Sequence, residues 1–263
     1  MLIDFHTHAF PEKIAGRAIE SLAHAAGGLR PQTAGTAESL KAEMERDGVD
    51  IAVIQSIATN PQQQAKVNDF AMALNKDERL VAFGSVHPNA PDALEELERI
   101  AAGGLKGVKF HPEYQGFYVD DEKMKPIYKK ISDLGLITLF HAGTDIGFPP
   151  PYHATPEHMK NALRWFDSPV VAAHWGGAGC GPEVLETLGG ENLYFDLSFG
   201  YGVISKPIAQ GIVDKHGPDR LLFGSDMPWH RPEWELRLIN SLDLSDSDRD
   251  KIFWKNAKHL LKI

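Results

Sequence analysis

Met1-Leu-Ile-Asp-Phe-His-Thr-His8 opens the chain with a short apolar run ending in two histidines two residues apart. Successive side chains on an extended strand alternate faces, so His6 and His8 project the same way. Two imidazoles then sit side by side at the strand's C-terminal end, a geometry suited to gripping one borderline-soft divalent ion. A lone His-x-His carries little weight, because most strand histidines are core or surface groups. Its meaning depends on whether other strands end the same way.

Several do. Apolar, β-rich runs recur at residues 2–5, 51–54, 80–86, 107–110, 137–140, 170–173, 193–197 and 221–223, mostly at intervals of roughly 23–33 residues, the length of one strand-plus-helix unit. The runs are near-continuous rather than alternating, as expected of strands covered on both faces. Helical stripes fill the gaps: Met124/Ile127/Ile131/Leu134, Met159/Ala162/Leu163/Phe166 behind Thr155 and Pro156, Leu94/Leu97/Ala101, and Phe253/Ala257/Leu260/Leu261 behind a capping box at Ser245 and Asp248. Eight strands alternating with helices predict one domain over residues 1–263, a parallel (β/α)8 barrel. The alternative, a doubly wound open sheet, lacks its phosphate-cradling glycine pattern after strand one. Glu191-Asn-Leu-Tyr-Phe195 matches part of a protease-tag sequence, but it falls on the strand-seven interval and reads as native structure. The longer interruptions, 9–35 and 142–155, are expected to be βα loops shaping the pocket.

Composition narrows the class. Of 263 residues, 43% are hydrophobic and 24% charged, ordinary for a soluble globular protein. No apolar run is long enough to span a membrane, and no basic segment leads into an apolar one at the N-terminus, so neither an anchor nor a signal peptide is expected. The single cysteine, Cys180, has no internal partner and fits a reducing cytoplasm, where it reads as an inert small residue. A formal charge of −9, from 27 basic and 36 acidic residues, opposes binding to a polyanion, so nucleic acid is not expected as a partner.

Polar groups close strand after strand: His6 and His8, His141, His174, and Asp226 in Leu221-Leu-Phe-Gly-Ser-Asp226. Strand four, Gly107-Val-Lys-Phe-His111, adds Lys109 and His111, which turn inward if Val108 and Phe110 face the helices. All parallel strands of a barrel end at one mouth, so these residues converge. Each alone is better explained by packing; the set is not. Tyr114, His153, Trp175, Trp229 and His230 follow strand ends and are weaker candidates for the pocket wall, Arg231 just past strand eight is a candidate partner for a substrate carboxylate, and His87 reads as structural.

Asp4-Phe-His-Thr-His8, Phe140-His-Ala-Gly143, Ala173-His-Trp-Gly-Gly177, Asn192-Leu-Tyr-Phe-Asp-Leu-Ser198, Phe223-Gly-Ser-Asp-Met-Pro228 and Asn256-Ala-Lys-His-Leu-Leu261 resemble, in order, the amidohydrolase-related metal-dependent hydrolases. That branch of the amidohydrolase superfamily also holds aminocarboxymuconate-semialdehyde decarboxylase and the aromatic-acid decarboxylases. The resemblance implies that His6, His8, His141 and Asp226 bind one divalent metal, zinc first and manganese or iron as alternatives. It also implies that His174 sits beside the metal-bound water or substrate. The chemistry of the residues agrees: Asp226 is expected to be catalytic as a proton shuttle and His174 to hydrogen-bond the developing oxyanion, with Lys109, His111 and Trp175 expected at the substrate. In binuclear relatives a carboxylated strand-four lysine bridges two metals; Lys109 stands near that place, with His141 and His174 then on the second ion. The expected activity is hydrolysis of an amide, lactone or ester of a small molecule, the alternative being non-oxidative decarboxylation of an aromatic or unsaturated carboxylic acid. Barrels of this family commonly pair, which makes a homodimer a further expectation.

Overall fold

The computed structural model describes residues 1–263. All eight expected strands form: β1 Ile3–Thr7, β2 Ile51–Gln55, β3 Leu80–Phe83, β4 Gly107–Phe110, β5 Ile137–Phe140, β6 Val170–Ala172, β7 Tyr194–Asp196 and β8 Leu221–Leu222. They pair in parallel and in sequence order, as two runs, β1–β3 and β4–β8. Backbone hydrogen bonds stitch the two seams. Gly84 N–H donates to Gly107 O at 2.9 Å and Lys109 N–H to Gly84 O at 2.8 Å; across the other seam Phe5 N–H donates to Phe223 O at 2.8 Å and His8 N–H to Met227 O at 2.7 Å. The result is a (β/α)8 barrel.

Two apolar clusters lie inside and outside the ring. The inner one contains Ile3, Phe5, Val53, Val81, Phe83, Leu139, Val171 and Leu222. The larger outer one, beneath the helices, contains Val108 and Phe110, so the intervening Lys109 turns inward as its alternation requires. At β1 the register shifts between Asp4 and Thr7. Such an irregularity re-aims side chains: Phe5 stays with the inner apolar floor while His6 and His8 enter the polar mouth.

The helix Pro156–Leu163 starts as its sequence dictates, with the Thr155 hydroxyl accepting from His158 N–H and Pro156 at the first position. Residues 9–35 depart from expectation, since Glu12–Ala25 is helical rather than loop. Only Ala15 and Ile19 of that helix are buried, so its apolar stripe is too thin to announce itself. The C-terminal Asn256–Leu261 helix packs Ala257, Leu260 and Leu261 into the inner cluster. A widened π turn at Lys251–Lys255 precedes it, and the Ile252 carbonyl accepts from Phe223 N–H at 2.9 Å.

His216 fixes the base of β7. Its ring stacks on Phe195 with centroids 3.8 Å apart, Nε2–H donates to Leu193 O at 2.9 Å, and Nδ1 accepts from Gly190 N–H at 3.2 Å. Both nitrogens are used only when the ring is neutral, and burial lowers its pKa to about 4. A base whose folded pKa lies below its unfolded value contributes stability present above pH 6.5 and lost as pH falls toward 4, here up to about 3 kcal/mol. Urea midpoints at pH 7.5 and 5 should therefore diverge more for the wild type than for His216→Gln, whose amide meets both partners without titrating. Equal divergence would contradict this account.

Candidate metal centre

At the mouth, Asp226 Oδ1 lies 3.1 Å from His8 Nε2 and 3.5 Å from His6 Nε2. The other nitrogen of each ring is committed. His8 Nδ1–H donates to the Gln55 carbonyl at 2.9 Å, and His6 Nδ1–H to Asp196 Oδ2 at 2.9 Å. A carbonyl oxygen can only accept, so the His8 proton sits on Nδ1. With Nδ1 protonated, the His8 Nε2–Asp226 contact at 3.1 Å requires a positive centre between the two atoms, either a second proton on the ring or a metal ion. Burial first, then the nearby Lys109, holds His6 well below the usual histidine pKa. The Asp226 carboxyl is held below its usual pKa: burial opposes this, but hydrogen bonding to His8 and the electropositive surroundings of His6, His8 and Lys109 outweigh it. Two fixed imidazole lone pairs and a carboxylate fit a divalent ion of zinc character.

The remaining histidines extend from this trio. His174 stacks on His6 with centroids 4.9 Å apart, its Nδ1 lies 2.9 Å from Ser198 Oγ, and its Nε2 lies 3.1 Å from His141 Nδ1. His141 is thus one ring beyond the trio that the sequence grouped it with. Its Nε2 lies 3.1 Å from Thr144 O and 3.6 Å from Asp145 Oδ2. His111 stacks on His141 at 4.2 Å, and its Nε2–H donates to Asp145 Oδ2 at 3.2 Å. Burial, reinforced by His141, lowers the His111 pKa to about 3, and its buried Nδ1 has no partner. Lys109 is 1% exposed, with His6 Nε2 at 3.5 Å as its one hydrogen-bond partner and no carboxylate within 4.0 Å. Burial lowers its pKa to about 8, against the pull of Asp196, Asp226 and Asp145.

Backbone strain concentrates here. His174 and Asp226 both take the left-handed region, with φ of 58° and 71°. Such conformations persist at non-glycine residues only where the surroundings hold them. His174 N–H donates to Asp196 Oδ1 at 3.1 Å, and Asp226 N–H to His6 O at 2.8 Å.

Asp196 is the functional residue that the sequence reading passed over. Fully buried, it accepts from His6, from His174 N–H, and from Ser198 through both N–H (3.2 Å) and Oγ–H (2.5 Å). Its signal was a carboxylate closing an apolar strand. Asp145 and Ser198 were missed too, being loop residues without periodicity. Trp175, expected at the substrate, is corrected: it is 2% exposed and belongs to the outer core. A left-handed φ of 62° turns it away from the neighbouring His174. Of the weaker candidates, Tyr114 edges His111 with centroids 4.6 Å apart, Arg231 donates to Gln32 Oε1, and His230 is tied to Glu235. Burial pushes the Cys180 thiol pKa up, in keeping with an inert residue. No helix is long and apolar enough to cross a membrane.

Residues 3–263 match a family profile described as Amidohydrolase. No curated protein matches the chain. Among solved structures, 2,6-dihydroxybenzoate decarboxylase from Rhizobium is similar with a TM-score of 0.76 at 18% identity, covering 99% of this chain and 98% of that one. A dihydroxybenzoic acid decarboxylase from Polaromonas, with bound manganese and 2-nitroresorcinol, scores 0.75 at 17% identity and covers 99% and 96%. A proposed 2-pyrone-4,6-dicarboxylic acid hydrolase from Pseudomonas putida scores 0.69 at 15% identity and covers 99% and 97%. At these identities the likeness establishes the barrel.

Proposed function

Because the chain belongs to the amidohydrolase family, we propose that it is a metal-dependent hydrolase cleaving an amide, lactone or ester of a small molecule. One observation carries the reading: one Asp226 carboxylate oxygen meets two imidazole nitrogens, His8 Nε2 at 3.1 Å and His6 Nε2 at 3.5 Å. His6, His8 and Asp226 would hold the ion, with His174, stacked on His6, the nearest further imidazole and His141 one ring beyond, and zinc suits this nitrogen-rich set. Such an ion lowers the pKa of a coordinated water toward about 7 and polarises a carbonyl. Asp226 Oδ2, which has no hydrogen-bond partner, takes the attacking water's proton and passes it to the leaving group. His174, whose Nδ1–H donates to the Ser198 hydroxyl oxygen, turns its Nε2 lone pair toward His141 and the mouth, where it accepts a hydrogen bond from substrate or water.

A second reading, decarboxylation of a carboxylic acid, rests on Lys109. A buried ammonium without a carboxylate partner is suited to binding one from the substrate. In that reaction the bond to the carboxyl carbon breaks and a protonated Asp226 supplies the replacing proton. The carboxylate's preference for its ionised form favours the first reading, in which it begins as a base.

Exhaustive chelation of the protein should abolish turnover of a panel of lactones, esters and amides, and zinc or manganese should restore it. Activity surviving complete metal removal would end the proposal. Carbon dioxide release from hydroxybenzoates or muconate-type acids, without hydrolysis anywhere in the panel, would move the assignment to the second reading.

A further inference from the structure

Two loops flank His174: residues 198–201 after β7 and residues 226–231 after β8. One carboxylate ties them together. Glu235, fully buried in the helix Pro232–Asn240, accepts from Gly200 N–H and Tyr201 N–H on Oε2, both at 3.1 Å, and from His230 Nδ1–H on Oε1 at 2.7 Å. The residue just before these two amides is Phe199, whose φ of 55° is disfavoured for any residue with a Cβ. Its ring stacks on His230 with centroids 4.1 Å apart and an interplanar angle of 27°. On the other side the turn is pressed against Trp175, since a Cβ at Gly200 would lie only 2.1 Å from the indole Nε1. Phe199 itself remains half-buried, with its ring edge-on to His174 at 6.3 Å.

A strained turn held from three sides presents a large flat ring beside His174. Nothing in the fold needs a phenylalanine there, for the ring belongs to neither core cluster. We propose that Phe199 is a specificity-determining wall of the substrate pocket and Glu235 the residue that positions it. The admitted substrate then carries a flat apolar group next to its reacting carbon. This rests on the functional reading above, which brings the substrate to the metal beside His174.

Benzoate and acetate are the probes: both offer one carboxylate to the zinc-loaded full chain, and only benzoate has a flat apolar face. Calorimetric titration should give the wild type a preference for benzoate of about tenfold or more, the scale of one aromatic contact. Phe199→Leu should lose most of that preference while acetate affinity holds within about twofold. Glu235→Gln keeps the phenyl ring yet should lose a similar share, with zinc content unchanged. The double variant should lose no more than Phe199→Leu alone, because one residue acts through the other. Should Glu235→Gln fail to fold, Glu235→Asp serves the same comparison. A wild type that binds both probes equally or neither, a preference untouched in Phe199→Leu, or additive losses would each overturn the proposal. Failure to take up zinc removes the functional reading and this inference together; zinc uptake with an unchanged preference removes the inference alone.

Discussion

Asp226→Asn is expected to reduce turnover by about 10³-fold even at saturating zinc, because the amide can neither take the water's proton nor neutralise the ion. The same substitution should raise the stability of the metal-free protein. At a pH high enough to leave the His8 ring neutral, where the comparison is made, the wild-type Asp226 Oδ1 faces a lone pair on His8 Nε2 at 3.1 Å. An asparagine can turn its NH2 toward that nitrogen and convert the opposition into a hydrogen bond, a gain of about 1 kcal/mol. Zinc should then stabilise the wild type strongly and the variant weakly. Urea unfolding of both proteins, with and without zinc, measures all four states. A metal-free variant less stable than the metal-free wild type would show that the geometry at His8 is not set up for a cation.

Asp196→Asn tests the shell behind the ligands. Asp196 Oδ1 receives the His174 and Ser198 donors, leaving Oδ2 for His6 Nδ1–H. In the variant an NH2 meets that Nδ1–H, donor against donor. His6 relieves the conflict by moving its proton to Nε2, the nitrogen aimed at the metal position. The substitution hardly alters shape, so the fold should persist, but zinc affinity should weaken by roughly 10–100-fold. Activity should recover as zinc is raised, unlike that of Asp226→Asn. Competition with a chromophoric chelator reads the affinity directly; an unchanged value would reduce Asp196 to a packing residue.

The architecture was legible because it depends on local signals repeated eight times. Each strand is an apolar run whose position survives small errors at its ends, as at β4 and β5, where the expected and observed limits coincide. His6, His8 and Asp226 were legible for a related reason: strand ends in a parallel barrel have one destination. What sequence could not supply was direction at residues that leave the strand. Trp175 and His174 are neighbours, yet left-handed backbone sends one into the core and the other into the mouth. Asp196 hid because a buried acid looks the same in sequence whether it binds an ion, a substrate or, as here, two histidines and a serine. His141 was grouped with the trio through the family resemblance, and its ring lies next to His174 rather than among the trio.

Closure of the ring has a consequence for how the protein is made. His6 and His8 leave the ribosome roughly 10–45 s before Asp226, at ordinary synthesis rates. During that interval Ile3, Phe5 and Val53 have neither β8 nor the final helix to cover them. A nascent chain therefore owns two metal-seeking rings and a sticky half-shell, with no carboxylate to complete the grip. On the proposed site, ion capture is expected late in biogenesis, and a chain interrupted before β8 is expected to expose apolar surface and aggregate.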